Sequence, residues 1–213
     1  MSSKTRICNM ALSHLGSSKE IANLDSERSN EAAACRMFYD QARELTLRAF
    51  WWPFATKIAA LALVSEDPNT EWGFSYRYPA DCLEHRRILS GIRNDTRSTR
   101  VSSKIAQDVT GPVIFSDMEN AYSEYTANIE NVNLFTVDFE MALSYRIAAM
   151  IAPRVTGGDP FKMGDKAFQM FALQVDQAKV SAANEEQPDI EPDSELILTR
   201  EGISSSWPTN WNT

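Results

Sequence analysis

Between about residues 65 and 133 the apolar residues stop recurring at the three- and four-residue spacing that orders the chain on either side, and this break limits what the chain can fold into. Before it, Ser2 or Ser3 can cap a first helix in which Ile7, Ala11 and Leu15 share a face, and Gly16 stands where a helix stops. Ser29 can cap a second helix whose stripe is Ala32, Cys35, Tyr39, Ala42, Leu45 and Ala49, with Arg36, Asp40, Arg43 and Glu44 off the stripe. Pro53 disfavours helical geometry at Trp52 and suits the first turn of a new helix, and Phe54, Ile58, Leu61 and Ala62 continue helical spacing to about Val64. After the break, Phe135, Phe139, Ala142, Leu143, Ile147, Met150 and Ile151 form a wide stripe, which marks a central helix ending near Pro153 to Gly158. Asp159 and Pro160 then supply a cap and a first position for a last helix through Met163, Ala167, Met170 and Phe171.

Inside the break the local chemistry is that of turns and strands. Asp67-Pro68-Asn69 is a turn signal, and residues 72–79 alternate aromatic with other side chains. Short runs at Arg87-Ile88-Leu89, 101–105, Val113-Ile114-Phe115 and 122–126 carry β-branched or aromatic residues and are separated by Gly, Asn, Asp and Pro. The expected fold is therefore mainly α: a bundle of about four to five helices with a small inserted antiparallel β-sheet or long hairpin and an extended C-terminal tail. In residue terms, 1–83 and 134–183 form the helical core, 84–133 a β-rich insertion and 184–213 an arm.

A chain of 213 residues, 43% of them hydrophobic, can bury one substantial core. No run of about 18 apolar residues occurs and residues 1–6 lack a secretory apolar stretch, so the expected site of synthesis is the cytoplasm, with no membrane partner. The formal net charge of -8 argues against wrapping nucleic acid. Charge is nevertheless uneven. Residues 84–104 hold six basic and two acidic residues, whereas 184–213 hold seven acidic and one basic. Such asymmetry suggests complementary contacts within the chain, between copies or with a partner.

The search for chemistry finds little. Cys8, Cys35 and Cys82 are odd in number and far apart, and with only two histidines neither a disulfide framework nor a metal site is expected. His14 and His85 lie outside any nucleophile motif, and no acidic pair sits in a catalytic-looking context. The Gly157-Gly158-Asp159-Pro160 segment lacks the spacing and lysine of a phosphate loop and reads as a turn between helices. No cofactor is implied. Arg86, Arg87, Arg93, Arg97, Arg100 and Lys104 are candidates for contact with anions, against the plainer reading of a solvated hairpin. The aromatic cluster from Trp51 to Tyr78 reads as core. In the acidic tail, Leu196, Ile197, Leu198, Trp207 and Trp211 are costly to leave in water and are candidate anchors on another surface.

Four segments, in order, resemble the tail tubular protein A family of phage head-to-tail adaptors. They are residues 8–16 (Cys-Asn-Met-Ala-Leu-Ser-His-Leu-Gly), residues 50–55 (Phe-Trp-Trp-Pro-Phe-Ala) with Ala60-Leu61-Ala62 behind them, residues 72–83 from Trp72 to Leu83, and Glu124-Tyr125-Thr126 followed by the helix from Phe139 to Pro153. The similarity spans roughly residues 7–183. It implies a helical bundle with a β-rich extension, assembled as a ring, commonly of twelve copies, between the portal protein and the next tail component, a nozzle or stopper-like protein. DNA would pass through the channel without specific binding, the place of action would be the head-tail junction of the virion, and no catalytic residues carry over. Two alternatives belong to other classes: a cell-wall-degrading virion enzyme, which purified peptidoglycan would reveal, and a DNA-binding accessory protein, which salt-sensitive DNA binding would reveal.

Overall fold

The computed structural model describes residues 3–92, 99–157 and 159–185. The chain divides into two units, Met1–Val180 and Ser181–Thr213, and of the second only the end of a helix is described. The predicted tail anchors and the rest of the arm lie outside the described residues, as do Arg93 and Arg97.

Each helix begins where a side chain can satisfy its free N–H groups. Helix α1, Lys4–His14, opens on Ser3, whose hydroxyl accepts from the Arg6 N–H at 3.1 Å, and Gly16 follows its end with a φ of 73°. Helix α2, Asn30–Ala49, opens on Ser29, and α3, Val137–Val155, on Thr136. Helix α4, Pro160–Glu185, opens beside Asp159, which accepts from the Lys162 N–H at 3.2 Å. The centre is α3, which packs on both α1 and α2 and buries Phe139, Leu143, Ile147 and Ile151 completely. Helix α4 joins this core through Ala167, Phe171, Val175 and Ala178. Gly164 allows a close crossing, since a Cβ there would stand 3.3 Å from the Ala149 carbonyl oxygen of α3.

The seven strands among the described residues are β1 Thr56–Ala60, β2 Leu63–Glu66, β3 Phe74–Arg77, β4 Cys82–Leu89, β5 Ser103–Asp108, β6 Gly111–Ser116 and β7 Tyr122–Ala127. They form two antiparallel sheets, one ordered β1-β7-β4 and one ordered β2-β3-β6-β5. A second, smaller core of Leu61, Tyr76, Ile88, Ile114 and Ala121 lies with them.

This architecture corrects the expectation of a mainly α fold with one small inserted sheet: among the described residues strand accounts for 23% against 47% helix, in two sheets of three and four strands. The error lies mostly after Pro53. The proline does start a helical turn, but it is a single 3-10 turn over Pro53–Ala55, and the chain then becomes β1 and β2. The spacing of Phe54, Ile58 and Leu61 fits a helix, yet Ile58 is largely exposed. What decides the conformation is pairing with β7, in the register Thr56↔Thr126 to Ala60↔Tyr122, which no local window contains. Tertiary pairing thus overrides a short, weak periodicity.

Candidate assembly surfaces

The basic residues predicted as one patch are placed apart. On β4, Arg86 turns inward: its guanidinium lies 4.9 Å from the Trp51 ring, its Nε donates to the Thr126 hydroxyl at 3.0 Å, and Glu84 lies 3.3 Å away. Burial lowers its pKa, opposed by the Glu84 charge. Arg87 pairs with Glu124 at 2.5 Å. Lys104 reaches Glu71 at 3.8 Å across solvent, and Arg100 is exposed. Three of the four described basic residues therefore have a carboxylate of their own, which lowers the field they can offer an external anion.

Both histidines are held in structural settings. His14, at the end of α1, stacks on Tyr145 with ring centroids 3.8 Å apart and places Nε2 3.0 Å from the Ser144 hydroxyl. His85 stands between the sheets, with Nδ1 2.8 Å from the Ser123 hydroxyl of β7 and Nε2 3.1 Å from the Ser103 hydroxyl of β5. Burial holds both imidazoles below the usual histidine range. Among the described residues, no group of three or more His, Cys, Asp or Glu could hold a metal ion.

A polar anchor that the periodicity missed is Arg43. It was placed off the α2 stripe, yet it is 3% exposed and donates from Nη1 to the Asn128 side-chain oxygen at 2.5 Å and to the Ile129 carbonyl at 2.7 Å. The segment joining β7 to α3 is thereby tied to α2. Nothing within α2 signals this, because the acceptors lie about 85 residues later in the chain.

Several exposed surfaces are apolar. Helix α4 exposes Phe161 by 75%, Phe168 by 49%, Leu173 by 55% and Val180 by 64%. Phe161 and Phe168 form one wall of an open groove of about 300 Å³ whose other wall is Arg146, Ala149, Met150 and Pro153 of α3. Arg146 closes its floor over the rings of Phe168 and Phe171, at 5.1 and 4.9 Å. A second hollow, of about 610 Å³, opens where Gly16, Lys19, Glu31, Thr156 and Lys162 approach one another. On the strands, Ile58, Leu63, Ile105 and Tyr122 are half or more exposed. Compared with known proteins, the chain matches no family model and no curated protein.

Proposed function

We propose that the chain is a structural head-to-tail adaptor of a tailed bacteriophage, one subunit of a ring set between the portal and the next tail component. The observation that carries this reading is the mostly apolar groove between α3 and α4. Phe161 and Phe168 of α4 stand largely in water along it, while Leu173 and Val180 are exposed on another side of the helix, roughly a third of a turn away. Exposed apolar surface of this kind marks an interaction site, and each side chain gains roughly 1.5–3 kcal/mol when fully buried.

Two further features support it. The four segments similar to the adaptors correspond to α1 with its stop, the aromatic junction after α2, the passage from β3 into β4, and β7 with α3. Two of these, the junction after α2 and β7 with α3, join helices to sheets, and the passage from β3 to β4 joins the two sheets. The pairing of Arg86, Arg87 and Lys104 with carboxylates, together with the net charge of -8, suits a channel through which DNA slides without being held. In this reading the partners are the portal protein, a nozzle or stopper-like protein and further copies of the chain, twelve to a ring as in the adaptors it resembles. The reaction class is none, and the C-terminal arm grips the portal through Leu196, Ile197, Leu198, Trp207 and Trp211.

Truncation after residue 184 and, separately, Trp207→Ala with Trp211→Ala test the reading in an assay that joins filled heads to tails. Both variants should keep the parent's circular dichroism and fail to complete virions. Joining at the parent's level by either variant would remove the arm from the mechanism, and turnover of purified peptidoglycan by the parent chain would replace the adaptor reading with an enzymatic one.

A further inference from the structure

The sheet β2-β3-β6-β5 ends on β2 and β5; Val101, just before β5, bridges to Ile88 of β4, but no described strand covers the outer edge of β2 or that of β5 from Lys104 to Asp108. One cross-strand row runs its whole width: Leu63 beside Tyr76, Tyr76 beside Ile114, and Ile114 beside Ile105. The inner two are 1% and 0% exposed, whereas Leu63 and Ile105 at the ends are 50% and 52% exposed. The row is apolar from edge to edge and stops only where the sheet does. The backbone at one end is similarly unfinished. Ala62 accepts from the Arg77 N–H at 2.8 Å and Asp67 donates to the Gly73 carbonyl at 2.7 Å. The alternation of an antiparallel ladder therefore turns the backbone groups of Leu63 and Glu66 outward.

Strand direction alternates across the sheet, so β2 and β5 run antiparallel to each other. A second copy set alongside in the same orientation then brings its β2 antiparallel to β5 of the first without inversion. Such a contact is head-to-tail: each copy keeps one edge for the next, which is the kind of interface that closes a ring. The alignment also places the beginning of β5 beside the end of the neighbour's β2. Charges there are opposite, Lys104 on one side and the exposed Glu66 on the other. Among the described residues, the ion pair of Lys104 is the long, solvent-exposed one with Glu71. The irregularity between Leu63 and Ser65 and the charge of Lys104 work against pairing in other registers.

We propose that a second copy of this chain docks on the β5 edge through its β2 strand, setting Leu63 of the neighbour beside Ile105 and carrying the apolar row from copy to copy. The proposal rests on the reading of the chain as one of many like subunits and specifies how they join.

Disulfide trapping on the full-length protein mixed with portal particles tests it. Opposed Cβ atoms of an antiparallel pair lie about 4.5–5.5 Å apart, close enough for a bridge after slight adjustment. Within one chain, positions 63 and 105 are three strand spacings apart, roughly 14 Å, and cannot be joined. The variants are Leu63→Cys, Ile105→Cys and the double, oxidised by air over copper phenanthroline and read on non-reducing gels with peptide mass spectrometry. Cys8 and Cys35 are buried and Cys82 is partly so, and peptide mapping separates their products from the designed one. The double variant should give a ladder of dimers, trimers and larger species linked 63 to 105, absent from both single variants. Ser65→Cys with Lys104→Cys, on the adjacent row, should give the same ladder if the first pair perturbs folding. Dimers linked 63 to 63 or 105 to 105, equal products from the single variants, or no product from either double variant would overturn the proposal. The two readings fail separately: portal attachment without the ladder rejects the edge pairing alone, and the ladder without portal attachment rejects the adaptor role alone.

Discussion

Phe139→Ala and Phe161→Ala remove the same atoms from two helices that cross, and opposite consequences are expected. Phe139 is completely buried on α3, where its ring centroid lies 5.1 Å from those of Trp52 and Phe54 and 4.7 Å from that of Phe135, all close to edge-on. Truncating a buried phenylalanine costs about 3–5 kcal/mol. The edge-on ring pairs, worth roughly 0.5–1.5 kcal/mol each but sharing the same ring, place this site in the upper half of that range. With a urea dependence of about 2 kcal/mol per molar, the unfolding midpoint should fall by roughly 2 M. Phe161, 75% exposed, should change stability by no more than about 0.5 kcal/mol and act on assembly instead. Equilibrium urea unfolding followed by tryptophan fluorescence reads both, since Trp52 touches Phe139 directly. A loss below about 1 kcal/mol for Phe139→Ala, or an equal loss for Phe161→Ala, would refute the assignment of core and open face.

Arg43→Met should cost about 2–4 kcal/mol, because the Asn128 oxygen and the Ile129 carbonyl each lose a charged donor inside the protein, and the same unfolding assay reads it. Gly164→Ala sets roughly 1 kcal/mol of helix propensity against a 3.3 Å contact with the Ala149 carbonyl and should be near neutral, whereas Gly164→Leu should lower the melting temperature measured by calorimetry. Because burial depresses both histidines, the unfolded chain takes up protons first: their contribution to stability is complete above an unfolded pKa of about 6.5 and is lost as pH falls toward and through the folded values. Urea midpoints measured from pH 7.5 down to 5.5 should therefore decline, and His85→Asn should flatten part of that decline.

Helix ends were the most legible part of the fold. Ser3, Ser29 and the Asp159-Pro160 pair act within three residues of themselves, so their consequences can be read from a short window. The central place of α3 was also readable, because its apolar stripe is wide enough to touch neighbours on several sides. The strands from Thr56 to Glu66 were not, since their conformation is set by β7 and β3 rather than by their own spacing. The division into two sheets was hidden for the same reason: the chain passes from one to the other at Leu61 and Ala62, bonded to Ala121 and Arg77 in turn, with no local signal of the change. Of the candidate contact residues, Arg86 looked equivalent to its neighbours in sequence, and only the placement of Trp51 and Thr126 turns it inward.

The most direct test of the adaptor reading is the mass of portal particles from the same phage, measured by native mass spectrometry or sedimentation before and after mixing with the purified chain, alongside the mass of the chain alone. The chain alone should run as a monomer or small oligomer, because a closed ring is expected to form on the portal, and the portal should gain the mass of a full ring, twelve copies by resemblance to the adaptors. A portal mass unchanged at saturating chain would contradict the adaptor role.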